Sequence, residues 1–415
     1  MIRIGIVGCG RILAAHLRGY RLLRQAGVDD FRITALCARN IDDAAAYARR
    51  GTGQAQRPAV SDIPGDPLAV ADEYVSDFQD DVEIELFDDW RQMIETGPID
   101  AVNDYTLHGL HHQIALLSAE HGKHLLTQKP ISVTVHGGEI MCQAFERAGL
   151  TLGVFENWRF KPDVIRMLTL LEEGHLGDPQ LLLAGAVAAW WAPDQIVAHT
   201  PWRHRKEQAG GITLDMGVHQ FDFVRAVGGE VRSIDGRAMT LEPVRVTRDS
   251  AGQIIDRVDC DADDTYFATF ETERGAIGSL HASWAGHGNP TISGPGSVVH
   301  ATTGRICGSL IELDGHAPAT IQETYERLIA PERQARDLPC GLDDGFALTQ
   351  YDWLEAIRQK RQPVTDGREG LRDLACAWAV LESSKAGRRV TLDEILSCDL
   401  CEAQREIASH FGLPR

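Results

Sequence analysis

The chain has 415 residues, 43% hydrophobic and 24% charged, with 60 acidic against 41 basic side chains and a formal net charge of −19 at pH 7. That length predicts two or three domains, each able to bury a core without disulfide staples. The acidic balance argues against a nucleic-acid or anionic-membrane partner, and no apolar run approaches the ~20 residues of a membrane span.

The opening MIRIGIVGCGRI is not read as a secretory signal, because its short apolar run leads into a Gly-rich turn with no cleavage site after it. Ile2 to Val7 reads as a strand. Ile12 to Gln25 has helical spacing, with Leu13, Leu17, Tyr20 and Leu23 on one side. Phe31 to Cys37 is a second strand and Ile41 to Arg50 a second helix. Residues 53–81 then break the rhythm with Gly53, Pro58, Pro64, Gly65 and Pro67, followed by Asp72, Glu73, Asp77, Asp80 and Asp81. This is expected to be an acidic insertion, a solvated surface excursion ahead of a third strand near Val82 to Phe87. Asp100 to Tyr105, Leu110 to His121 and His124 to Thr127 continue as strand, helix and strand. Such alternation implies a parallel sheet with helices on its faces.

From about residue 180 the pattern changes. Leu181 to Ala189, Arg232 to Leu241, Tyr266 to Glu271, Ala276 to Ser283 and Ser297 to Ala301 read as longer strands of a mixed or antiparallel sheet. Phe346 to Lys360 and Leu371 to Gly387 return to helix across the Gln362-Pro363 step, and Thr391 to Leu396 reads as a capped final turn. No internal repeat is visible, which argues against solenoids and propellers.

The nine cysteines are scattered and odd in number. This predicts reduced thiols and a cytoplasmic protein. Cys398 and Cys401 form the one close pair, but a zinc site needs four ligands and no second pair lies nearby. No metal is expected.

Gly8-Cys9-Gly10 lies between the first strand and the first helix, the setting of a dinucleotide fingerprint. Gly8 would allow the tight turn, and Gly10, followed by Arg11 and Ile12, would let the backbone approach a pyrophosphate at the helix N-terminus. The third small residue of the pattern is replaced by Leu13, which predicts looser helix–strand packing. At the end of the second strand, Ala38 and Arg39 stand where an NAD site would place a carboxylate. A guanidinium there can pair with a 2′-phosphate, so the expected cofactor is NADP rather than NAD.

Three further stretches complete a recognisable set. IDAVNDYTLHGLHHQIALLSAEHGKHLLTQKPIS resembles the core of the Gfo/Idh/MocA oxidoreductase family, in which Thr-Pro-Asn closes one strand, a His follows, and Glu-Lys-Pro closes the next. Thr106, His111 and Lys129-Pro130 match; Leu107 and His108 stand for the Pro and Asn, and Gln128 for the Glu. GVFENWRFKP resembles the segment that supplies a site Asn, here Asn157. PWRHRKEQAGGITLDMGVHQFDF resembles the Gly-Gly-x-x-x-Asp-x-Gly-x-His signature, with Gly210, Gly211, Asp215, Gly217 and His219. The resemblance covers roughly 1–50 and 84–395. It implies an N-terminal Rossmann domain at 1–130, carrying the insertion, and a second α/β domain at 131–415 with a large, mostly antiparallel sheet and closing helices at about 346–387. It also implies NAD(P)-dependent oxidoreduction of a sugar, polyol or sugar derivative by a homodimer or homotetramer.

The residues themselves support such chemistry. Asp215 and His219 are i and i+4, which on an α-helix places both on one face. The carboxylate can orient the imidazole as an acid/base. Lys129 would sit at the carboxyl end of a strand, where open α/β sheets bind ligands, and can stabilise developing alkoxide charge. The resemblance makes it the catalytic lysine. His111 is expected near the cofactor, with His108 and His112 on the loop or helix surface. Trp190, Trp191, Trp202 and Arg203 precede the Asp215 signature, and Trp202 and Arg203 are candidate sugar contacts. The substrate set is thus Lys129, Asn157, Trp202, Arg203, Asp215 and His219. Two other readings remain open: a lyase or glycoside-cleaving enzyme that oxidises transiently with retained NAD(P), and a non-enzymatic regulator.

Overall fold

The computed structural model describes residues 1–52, 55–61, 66–187, 194–289 and 291–413, with the side chains of 292–296 also set aside. Trp190 and Trp191 lie outside the described residues, as do Gly53, Pro64 and Gly65 of the insertion.

The chain opens as β1 (Ile2–Val7), α1 (Leu13–Gln25), β2 (Phe31–Cys37), α2 (Ile41–Ala48), β3 (Glu85–Phe87), α3 (Trp90–Thr96), β4 (Ala101–Asp104), α4 (His111–Glu120), β5 (His124–Gln128), α5 (Val135–Ala148) and β6 (Leu152–Phe155). The six strands form one parallel sheet in the order β3-β2-β1-β4-β5-β6. The order reverses between β1 and β4, and the crevice at the carboxyl ends there is where such sheets bind dinucleotides. Every residue of β2 is buried, as expected of a strand covered on both faces. Asn40 caps α2 by accepting the Asp42 N–H at 3.2 Å, and Asp42 and Asp43 complement the helix dipole in its first turn. Leu13 is completely buried in α1, so the departure from the glycine pattern is absorbed as core packing and not as looseness.

Two compact units emerge, and they do not divide at one point near residue 130. The first comprises 1–132, 137–162 and 338–369; the second comprises 133–136, 163–337 and 370–415. The reason is physical. β6 adds a sixth strand to the parallel sheet. The helix Gly345–Gln359 supplies Trp353, which is fully buried and donates its indole N–H to the Leu125 carbonyl of β5 at 3.1 Å.

The insertion is also bound more firmly than a solvated excursion. Arg50 pairs with Asp72 at 2.7 Å and Asp77 at 2.8 Å, Arg21 with Glu73 at 2.7 Å, and Arg32 with Asp81 at 2.7 Å. The buried Gln79 amide brackets Ile33, accepting its N–H at 2.9 Å and donating to its carbonyl at 2.7 Å.

The second unit begins with α6 (Pro162–Glu172, entered from the first) and β7 (Pro179–Val187). The helix α7 (Val218–Gly228) follows, then β8 (Val231–Met239), β9 (Val244–Arg248), β10 (Ile254–Asp259), β11 (Thr265–Thr272), β12 (Ile277–Ser283), β13 (Thr291–Ala301), β14 (Gly304–Cys307), β15 (Leu310–Leu313), β16 (Ala319–Thr320) and β17 (Val390–Thr391). Nine of these strands form one sheet in the order β16-β15-β14-β13-β7-β12-β11-β8-β17, and β9 and β10 form a separate hairpin. Only the β7–β12 pair is parallel in the large sheet, which makes it mixed but mostly antiparallel. The capped final turn is present: Thr391 and Glu394 form a reciprocal capping box before the helix Leu392–Leu396.

Candidate active site

The phosphate loop is built by conformation and open space. Gly8 has φ +102°, and a Cβ there would lie 2.7 Å from the Tyr105 carbonyl group. Gly10 faces open space, with nothing within 4 Å of where a Cβ would be. No side chain caps the N-terminus of α1; within its first turn the Leu13 N–H donates to the Gly10 carbonyl and the Ala15 N–H to the Ile12 carbonyl, each at 3.1 Å. A glycine facing open space, an uncapped helix and the required positive φ fit a dinucleotide pyrophosphate. The Tyr47 hydroxyl donates to the Gly10 carbonyl at 2.9 Å. The Arg11 guanidinium donates to the carbonyls of Pro58, at 3.0 Å, and Ala59. Ile12 is half-buried at the helix start, Ala38 is buried at the end of β2, and Arg39 beside it is exposed.

The ends of β4 and β5 are locked to each other. Asp104 accepts from the Thr106 N–H at 3.0 Å, from the Thr106 hydroxyl at 2.7 Å and from the Thr127 hydroxyl at 3.1 Å. His111 is fully buried, its ring nitrogens 3.0 Å from the Pro130 carbonyl and 3.3 Å from the Thr106 carbonyl. It thus holds the turn carrying Lys129, which precedes a cis peptide bond to Pro130, against the turn after β4. His108 and His112 are buried as well, contrary to their expected surface placement, because α4 and the turn before it pack into the unit. Burial, followed by the neighbouring His111, lowers the pKa of His112.

Gln128 finds a partner that the sequence did not reveal. Its amide nitrogen lies 2.7 Å from Nε2 of His16, a fully buried ring stacked on Tyr105 at 3.7 Å. Burial holds the His16 pKa well below the ordinary range, so the ring is neutral. Asn157 follows β6, and its carbonyl lies 2.9 Å from the position of a Cβ on Gly345, a contact only glycine tolerates. Nearby, the Lys161 ammonium sits 3.9 Å from the Trp158 ring centroid.

In the second unit, Thr213–Gly217 form a π-helical turn that runs into α7. Asp215 and His219 are therefore not i and i+4 on one regular α-helix: the wider turn changes the angle between them. Both are buried. The turn is fixed from outside by Asp263, whose carboxylate accepts from the Thr213 N–H at 2.9 Å and hydroxyl at 2.6 Å. Burial raises the pKa of that carboxyl. Arg203 donates to Asp215 at 2.9 Å and to the Thr200 hydroxyl at 2.5 Å, and its guanidinium lies 4.4 Å from the Trp202 ring centroid. Trp202 and Arg203 thus join Asp215 in one cluster. His204 accepts the Val197 N–H at 3.0 Å. Its pKa is pushed down to about 3, by burial first and then by Arg245 and Arg203. His16, Tyr47 and Asp263 escaped the sequence reading because their partners lie far away in the chain.

Among the described residues, no group of three or more His, Cys, Asp or Glu side chains is placed to hold a metal ion, and no helix is long and apolar enough to cross a membrane.

Residues 2–156 match the family model described as an oxidoreductase family with an NAD-binding Rossmann fold, and residues 164–307 match a model of the GFO/IDH/MocA C-terminal domain. The chain is 28% identical over 203 residues to D-xylose dehydrogenase of Paenarthrobacter nicotinovorans, covering 48% of this chain and 51% of that protein. It is 29% identical over 230 residues to levoglucosan dehydrogenase of Pseudarthrobacter phenanthrenivorans, covering 52% and 57%. The match thus spans little more than half the length of these two relatives. Myo-inositol 2-dehydrogenase of Thermotoga maritima is 23% identical over 406 residues, 95% of this chain and 100% of that one. In fold, the chain resembles levoglucosan dehydrogenase in complex with NADH and L-sorbose, with a TM-score of 0.74 at 20% identity, covering 96% of this chain and 100% of the other. With both of its domains matched, in order, by models of one family, the chain belongs to the Gfo/Idh/MocA oxidoreductases.

Proposed function

We propose that the protein is an NAD(P)-dependent dehydrogenase acting on a CH–OH group of a sugar, polyol or sugar derivative. The observation that carries this reading is Lys129 at the carboxyl end of β5, in the same sheet as an open, uncapped phosphate loop. The named substrates of the relatives, D-xylose, levoglucosan and myo-inositol, support the substrate class.

A nicotinamide dinucleotide, when bound, supplies the hydride acceptor or donor. Gly8, Gly10, Arg11 and Ile12 would hold its pyrophosphate, and Ala38 and Arg39 its adenosine ribose. Thr106, Gln128, Lys129 and Asn157 would line the other half, with His111 bracing the turns beneath. Ala38 offers no charge to repel a 2′-phosphate and exposed Arg39 can pair with one, which favours NADP over NAD. The Lys129 ammonium hydrogen-bonds the reacting oxygen and stabilises its negative charge. His219 takes the hydroxyl proton, Asp215 orients it, and Arg203 holds Asp215. The nine cysteines are scattered and odd in number, which fits a reducing cytoplasm.

The test begins with denaturing the purified protein, identifying any released nucleotide by mass, and titrating the stripped protein with NADP and NAD. The Lys129→Met variant is then assayed against a panel of sugars and polyols. Tighter NADP binding and a kcat loss of roughly 10²- to 10⁴-fold with the dinucleotide Kd retained are expected. Tighter NAD binding would remove the Arg39 argument. Binding of neither would remove the functional reading, and retained cofactor without net turnover would point to transient oxidation.

A further inference from the structure

The insertion between α2 and β3 takes no part in the hydride chemistry, yet its route is specific. β2 delivers the chain to the carboxyl edge of the parallel sheet, and α2 returns it to the amino edge, where β3 begins. A connection of a few residues would suffice there. This chain instead climbs back along α2. Gln56 donates to the Ala46 carbonyl at 3.3 Å. The Arg57 main chain lies beside the Tyr47 hydroxyl, and its guanidinium pairs with Asp43 at 2.7 Å. Pro58 and Ala59 then present their carbonyls to Arg11. The partners Ala46, Tyr47, Asp43 and Arg11 mark a path from the last turn of α2 to the phosphate loop. Tyr47 also donates to Gly10, so two residues of that loop are joined to the insertion.

Burial lowers the pKa of Lys161, opposed by the charge of Glu156 and then of Asp66, and Lys161 lies just beyond Asn157 at the end of β6. β1 and β6 are separated by two strands, which places their ends ~14 Å apart. Ser61 and Leu68 close the excursion with a hydrogen bond of 3.3 Å, and the arginine pairs to Asp72, Glu73 and Asp77 secure the descent to β3. The Arg57 charge is matched by Asp43, and Arg11 adds a guanidinium held by the carbonyls of Pro58 and Ala59.

We propose that residues 57–61 complete the dinucleotide site as a strap across its pyrophosphate end that retains bound NAD(P)H. This rests on the dinucleotide reading above. A leaving ligand must part the strap from Arg11 and Tyr47, so the strap acts on release.

The experiment uses the full-length protein with NADH and NADPH. Stopped-flow displacement gives release and association rates for the unsubstituted protein, Tyr47→Phe and Arg57→Ala. Hydrogen exchange of the 55–61 segment is followed with and without dinucleotide and needs no variant. The expected result is release about tenfold faster in Tyr47→Phe, the worth of one or two hydrogen bonds, with association within about twofold, and slower exchange at 55–61 on binding. Unchanged release in both variants together with unchanged exchange would overturn the strap. Faster association with unchanged release would overturn retention and make the segment an obstruction. Failure of the unsubstituted protein to bind either dinucleotide would remove the cofactor reading itself, a different outcome from binding without strap protection.

Discussion

Arg203 bonds both Asp215 and Thr200 and lies over Trp202, so its guanidinium has little freedom to serve a substrate directly. We propose it as a positioning residue for Asp215. Arg203→Ala should lower kcat about tenfold or more, the worth of a charge-assisted hydrogen bond, with a smaller change in KM and none in dinucleotide Kd. A loss expressed mainly in KM would return Arg203 to the role of sugar contact. His204 offers a second test. Its folded pKa, about 3, lies below the unfolded value near 6.5. Above pH 6.5 both states are neutral. As pH falls from 6.5 toward 3, the unfolded chain takes a proton that the folded ring refuses, and stability drops by up to about 1.4 kcal/mol per pH unit. His204→Gln keeps an acceptor for the Val197 N–H and removes the proton site. The fall in Tm between pH 7 and 5 should be shallower in the variant; an identical slope would show that other groups carry it. At this scale the turn at Gly8 and Gly10 before α1 and the place of Lys129 after β5 were legible because short local patterns mark them. The partner of Gln128 was not, because His16 lies 112 residues away in the chain.

At the scale of elements, the π-turn Thr213–Gly217 is the least legible piece, since residue spacing is the same in a π-turn and an α-helix. What selects the turn is long-range: Asp263 accepts both the Thr213 N–H and hydroxyl and presses against Gly211. Gly211 has φ +115°, and an added Cβ would fall 2.2 Å from the Asp263 carboxylate. Gly217, at φ −61°, has nothing closer than 3.6 Å. Gly211→Ala should therefore cost ~1–3 kcal/mol of stability and most of the activity, while Gly217→Ala should change Tm little. Equal effects from the two would remove Asp263 as the clamp. The β9–β10 hairpin escaped for a related reason. No element was assigned to it from sequence, yet Arg245 is fully buried and paired with Asp264 at 3.3 Å.

On the scale of the whole molecule, strand register sets three exposed apolar side chains on one face of the nine-stranded sheet. Phe267, Met239 and Ile277 are each more than half exposed on β11, β8 and β12. Phe267 stacks on His281 at 5.1 Å, and that ring lies across Gly185 of β7, where a Cβ would come within 2.3 Å. Isolated apolar side chains on a surface mean little, but several on one sheet face offer a surface to a second copy. The chain should be a dimer or tetramer joined through this face. Sedimentation of Phe267→Asp should show a shift to monomer with the circular dichroism spectrum retained. An unchanged sedimentation coefficient would place the contact elsewhere or remove it.

The sequence by itself determined the alternating first unit, the phosphate loop, the change to a mostly antiparallel sheet, and the family. These rest on periodicity, glycine placement and short motifs, which are local properties of a chain. Tertiary structure alone decided that β6 and the helix Gly345–Gln359 belong with the first sheet, that the acidic insertion is riveted by arginines and climbs to the phosphate loop, and that Asp263 shapes the turn under Asp215. Each depends on groups tens to hundreds of residues apart, and only folding selects among the partners that local pattern leaves equally available.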